Sequence, residues 1–165
     1  MNAALNRRRI GLLILIAVVA HVHAQPPGDP LSVKAIAEVE QATGERGRET
    51  TKLVAADRVV SGDEVIYTLE IRNTSAASVR KPTVIYAVPD HMVYVADSAV
   101  GPGTEVSYSI DSGRSFDAPE SLQVHESGGE PRLAKAADYT HIRWQLKNAL
   151  KANSVAFVRF RARVK

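Results

Sequence analysis

The chain has 165 residues, a formal charge of +3, no cysteine, and only 24% charged and 5% aromatic residues. Its first 24 residues hold three arginines and no acid, so residues 25–165 carry 18 basic and 18 acidic side chains and no net charge. That length and balance predict one domain. They remove the basic footprint of a nucleic-acid binder, and the absence of cysteine removes thiol catalysis, iron–sulfur clusters and cysteine zinc sites.

The N-terminus comes first. Arg7, Arg8 and Arg9 precede an apolar run of 11 residues, 10–20, and Val22 and Ala24 are the small residues at −3 and −1 from Gln25. This pattern predicts a signal peptide over residues 1–24, cleaved before Gln25. The run is shorter than the roughly 20 residues that cross a bilayer. The expectation is therefore an exported protein, periplasmic or extracellular, with no membrane span after cleavage. Residues 25–30, QPPGDP, read as a linker, which leaves residues 31–165 as a single domain.

Residues 33–40 alternate imperfectly and suit a first strand, although their alanines also allow a helix; residues 44–51 read as a turn. The clearest strand is residues 64–73, with Val65, Tyr67, Leu69 and Ile71 on one face and Glu64, Thr68, Glu70 and Arg72 on the other. Strict period-two alternation of that length means a half-buried strand. Further strands are expected over residues 83–88, 92–96, 105–110, 122–124, 139–146 and 154–164, with a short helical turn near 131–138. Short strands separated by turn signals at this spacing indicate an all-β chain, an Ig-like antiparallel β-sandwich of about 7–9 strands. Trp144, Tyr67, Leu69, Ile71, Phe160 and Val158 are its expected core.

Residues 62–98 carry a Gly62-Asp63 turn, a strand with Tyr67-Thr68, an Asn73-Thr74 turn, a strand with Val84-Ile85, Pro89, and a strand with Tyr94-Val95. This succession resembles the domain of unknown function 11 family, an Ig-like module of bacterial surface and secreted proteins, here in a single copy. The resemblance implies a fold and brings no catalytic residues. Ser61, Tyr86 and His91 stand where that family usually has Pro, Asp and a turn Gly. The last exchange matters most, because such a glycine often supplies a positive φ.

Few motifs carry chemistry. Residues 109–116, Ser-Ile-Asp-Ser-Gly-Arg-Ser-Phe, resemble the aspartate box of carbohydrate-active β proteins. Physically it predicts a hairpin in which the Asp111 carboxylate accepts backbone N–H bonds, Gly113 takes a positive φ and Phe116 plugs the core. His91, His125 and His141 lack metal-ligand spacing, and Asp111, Asp117 and Glu120 lack the ligand alternation of a calcium loop. The Asn73-Thr74-Ser75 sequon reads as a turn. No catalytic residue, cofactor or metal is expected.

Charge is more suggestive. Residues 25–131 hold 9 basic and 17 acidic residues, whereas residues 132–165 hold 9 basic and 1 acidic. On the expectation that the last two strands pair, Arg143, Lys147, Arg159, Arg161 and Arg163 form one basic sheet face. Such a face would dock an anionic envelope polymer or a protein, unless acidic neighbours such as Glu64, Glu70 or Asp97 neutralise it or it only protects an edge strand. The expected function is thus a non-catalytic structural or binding module at the bacterial cell envelope. The alternatives are a small envelope glycan hydrolase working near Asp111, or a subunit of a surface assembly.

Overall fold

The computed structural model describes residues 29–43, 50–126 and 129–165. The expected signal peptide over residues 1–24 lies outside the described residues, as do most of the linker and of the turn expected at 44–51. Among the described residues no helix is long and apolar enough to cross a membrane.

The chain is built from antiparallel strands, as its alternation predicts. In order they are β1 (Leu31–Thr43), β2 (Thr50–Ala55), β3 (Glu64–Asn73), β4 (Thr83–Ala87), β5 (Met92–Tyr94), β6 (Thr104–Ser109), β7 (Gln123–Val124), β8 (Arg132–Leu133), β9 (His141–Leu146) and β10 (Val155–Val164). Two single-turn 3-10 helices, Pro119–Ser121 and Ala136–Asp138, sit between the later strands. A five-stranded sheet runs β2-β1-β3-β10-β5, a three-stranded sheet runs β4-β9-β6, and β7 pairs with β8. The result is a β-sandwich whose strand number, ten among the described residues, exceeds expectation by β2 and β8. Thr50 and Thr51, expected in a turn, open β2.

The core lies between the two larger sheets. From β3 and β10 it takes Val65, Tyr67, Leu69, Ile71, Val158, Phe160 and Ala162; from β4, β6 and β9 it takes Val84, Tyr108, Ile142, Trp144 and Leu146. Trp144 and Phe160 are completely buried, with ring centroids 6.0 Å apart. Phe160 also stacks on Tyr67 at 4.9 Å, and Tyr86 tilts against both rings. A second cluster joins Tyr94, Tyr108 and Tyr139; Tyr108 stacks on Tyr139 at 4.4 Å and its hydroxyl is 2.9 Å from that of Tyr94. All five tyrosines thus serve the interior, and a chain without disulfides is held by packing of this kind.

The turns follow their sequence signals. Gly62 adopts φ +96° at the Gly-Asp turn before β3. His91 is not among the residues with positive φ, so the exchange of a turn glycine for histidine carries no backbone strain here. Asn73, at the end of β3, is fully buried. Its Nδ2 donates to the carbonyls of Ala77, Leu150 and Lys151, and its Oδ1 accepts from the Ser75 N–H and hydroxyl. The sequon is therefore a built-in clamp between two loops.

Candidate functional site

The expected basic face does not form as one surface. β10 pairs with β3 and β5, and β9 pairs with β4 and β6, so the last two strands belong to different sheets. Arg143 is consequently carried by the three-stranded sheet, and Lys147 opens the loop just after its β9, away from Arg159, Arg161 and Arg163. The physical reason is the loop at residues 147–154, which crosses the sandwich instead of turning back in a hairpin. Arg143 there donates through Nε to the Ser107 hydroxyl at 2.9 Å, and its guanidinium lies 4.8 Å over the Phe116 ring. Phe116, expected in the core, is instead a half-buried platform for that cation.

The three β10 arginines share the outer face of the five-stranded sheet, but their surroundings differ. Arg161 donates to Glu40 of β1 at 2.6 Å and lies 3.8 Å from Glu64 of β3. Arg163 is opposite Glu64 in register and donates to it. Glu70 is spent on Arg72 at 2.8 Å. Neutralisation by Glu64 is as expected; Glu40 takes the place foreseen for Glu70 or Asp97. The contrast between the acidic and basic parts of the chain is thereby mixed in space, so folding does not keep two charged poles apart along these strands.

Arg159 is the exception. Among the described residues it has no carboxylate partner; its Nε donates to the Thr68 hydroxyl at 3.1 Å. Beside it Phe157 is 51% exposed and Val100 is 54% exposed. Together with Thr68, Gly101, Pro102 and Val158 they line an open groove of about 610 Å³. Gly101 is required at its base: a Cβ there would come within 2.7 Å of Val158 Cγ1 and 2.9 Å of Thr104. The outer face of the same sheet also buries Ile66, aligned between Glu38 and Arg161. Both Ile66 and the Phe157–Val100 pair escaped the sequence reading, which took the outer face as polar. Apolar residues at outward positions, 157 in β10 beside 159, 161 and 163, and 66 in β3 beside 64, 68 and 70, were the available signal.

The hairpin at residues 109–116 closes as expected. The Asp111 Oδ1 accepts from the N–H groups of Arg114 and Ser115 and from the Ser109 hydroxyl, and Oδ2 accepts from the Ser115 hydroxyl at 2.6 Å. Gly113 has φ +81°, and Tyr108 and Asp117 exchange backbone hydrogen bonds across the base. Hydrogen bonds from the Ser115 hydroxyl and N–H, then from Ser109, hold the Asp111 carboxyl well below the usual carboxylate range. A group kept ionised and occupied by its own loop is the opposite of the raised, available carboxyl that a general acid requires. Among the described residues no group of three or more His, Asp or Glu side chains is placed to hold a metal ion.

No family model, no curated protein and no solved structure matches this chain.

Proposed function

We propose that this protein is an exported, non-catalytic Ig-like module, related in kind to the domain of unknown function 11 modules, that binds a partner at the bacterial cell envelope. The partner carries negative charge and meets the outer face of the five-stranded sheet. The observation that carries the reading is Arg159: among the described residues it alone of the β10 arginines faces solvent without a carboxylate partner, between an exposed phenylalanine and an exposed valine. An arginine so placed offers two-point hydrogen bonding to a carboxylate or phosphate, next to apolar surface that gains from being covered. The leader pattern of residues 1–24 supports the address, and the engagement of Asp111 within its own hairpin supports a structural role for that loop over a hydrolytic one.

Expression of the full chain in a bacterial host, with mass measurement of the recovered protein, tests export: the account expects a product beginning at Gln25 in the envelope or medium. That product, immobilised and exposed to envelope extract, should retain a partner at low ionic strength and release it at about 0.5 M salt, where exposed charges are screened within a few ångströms. Retention of the intact chain in the cytoplasm would overturn the first half. Capture that is indifferent to salt would overturn the second.

A further inference from the structure

Among the described residues, β10 keeps β3 on one side throughout but loses its neighbour on the β5 side beyond Arg159. Val100 and Arg159 exchange backbone hydrogen bonds, each 2.8 Å, so the Arg159 N–H and C=O point toward the side of the sheet where Val100 lies. Alternation along a strand turns the N–H and C=O of Phe157 the same way. On that side β10 is met by β5, opposite Ala162–Val164, and by Val100, opposite Arg159. Among the described residues no strand faces residues 155–158 there. The chain itself leaves at Gly101, pressed against Val158, and continues through Pro102, which has no N–H to offer. The groove lined by Phe157, Val100 and Arg159 lies where this segment departs.

We infer that the occupant is an extended peptide segment that adds to β10 alongside residues 155–158, with an acidic side chain at the position facing Phe157 and apolar residues beside it. This rests on the binding reading above and gives it a partner class. Three features select it. The open stretch of strand supplies backbone hydrogen bonds in the manner of strand addition. A residue facing Phe157 directs its side chain to the same outer face, where Arg159 is its diagonal neighbour and within reach of a longer side chain. The Arg159 guanidinium, steadied through Nε by Thr68, has no other hydrogen bond among the described residues and so keeps both terminal nitrogens for that carboxylate. A small anion fits less well, because the groove is open to solvent and cannot enclose most of a compact ligand.

The test uses the full-length protein as exported, isotope-labelled for NMR, with three capped pentapeptides: Thr-Val-Glu-Val-Thr, its glutamine counterpart and its lysine counterpart. Acetate alone is a fourth probe. The expected result is saturable shifts at the amides of residues 155–159 with the glutamate peptide, and slowed exchange of the Phe157 amide. The glutamine peptide should bind about tenfold more weakly, the worth of one charge-assisted hydrogen bond. Arg159→Gln should bring the glutamate peptide down to the glutamine level while the remaining spectrum stays unchanged.

The inference is overturned by no response at roughly millimolar glutamate peptide, the weakest affinity such an addition would need for this readout. It is also overturned by equal responses to glutamate and lysine peptides. Acetate reproducing the Arg159 shifts, with no peptide protecting the Phe157 amide, would make the site one for small anions. Protection of Phe157 that rises with protein concentration alone would make the occupant a second copy. Envelope capture that persists while the peptides fail removes strand addition and leaves the broader binding reading standing; loss of both removes both.

Discussion

The Nδ2 of Asn73 lies 2.9 Å from the carbonyl oxygen of Leu150, 77 residues further along the chain. With the carbonyls of Ala77 and Lys151, that oxygen forms a cage of acceptors around one amide. Asn73→Ala should cost about 2–4 kcal/mol, since it leaves several buried polar groups short of partners. Asn73→Asp should cost more, because a carboxylate would face three carbonyl oxygens that it cannot satisfy. Chemical denaturation of the two variants should rank them in that order, and equal midpoints would show that the clamp contributes nothing.

Trp144 is fully buried against Phe160, yet among the described residues its indole N–H has no hydrogen-bond partner. Trp144→Ala removes the largest side chain of the core and should lower stability by about 3–5 kcal/mol. Trp144→Phe keeps much of the volume and removes the unsatisfied donor, so it should cost markedly less. Unfolding followed by far-ultraviolet circular dichroism measures both. As the chain's single tryptophan, Trp144 should also show blue-shifted emission resistant to soluble quenchers.

Gly101→Ala should cost about 1–3 kcal/mol, because its Cβ would collide with the side chain of Val158, a core residue, and with Thr104 at the groove base. The same change should disturb the Val100–Arg159 pairing. A variant with unaltered thermal midpoint and unaltered Val100 amide exchange would show that the crossing at Gly101 is looser than described.

Several groups bear on the pH limits, among them Asp138 with a lowered carboxyl and Tyr86, Tyr108 and Tyr139 with raised phenols; Asp111 and Tyr67 illustrate the two opposite signs. The Asp111 carboxyl is held below its ordinary value by its hairpin hydrogen bonds. Its contribution is present above the unfolded value near 4 and is lost as pH falls through the depressed folded value. Tyr67 is raised from 10.0 to about 12, by burial first and by the proximity of Tyr86 second. Its contribution is whole below about pH 10 and is lost as pH rises toward about 12, where the unfolded chain gains from ionising first. Thermal midpoints across the pH range should fall at both ends, with Asp111→Asn flattening the acid limb and Tyr67→Phe reducing the alkaline slope.

Much of the fold was legible because one side of each long strand had to be apolar. Residues 64–73 and 154–164 alternate so regularly on their inner face that β3 and β10, with the core residues Tyr67, Leu69, Ile71, Val158 and Phe160, are recovered from pattern alone, as is Trp144 from the alternation of β9. β2 escaped for the complementary reason. It is an edge strand with mostly exposed side chains and follows a charged, glycine-containing stretch, so it carries no periodicity. The two-residue β8 is too short to carry any.

The candidate site was only half legible. The basic character of β10 is written in residues 159, 161 and 163, but which arginine is free depends on Glu40 and Glu64 arriving from β1 and β3. Pairing across 121 residues leaves no local mark. The assignment of β9 and β10 to one surface failed for a similar reason: alternation tells which residues share a face of a strand and is silent on which sheet receives that strand.

The central claim is that Arg159, and not the basic stripe as a whole, meets the partner. The most direct measurement is envelope capture at low salt by three single variants, Arg159→Gln, Arg161→Gln and Arg163→Gln, each checked for an unchanged thermal midpoint. The account predicts that Arg159→Gln loses the captured partner while the other two, already engaged with Glu40 and Glu64, retain it. Equal losses from all three would make binding a matter of net charge, and full retention by Arg159→Gln would contradict the account.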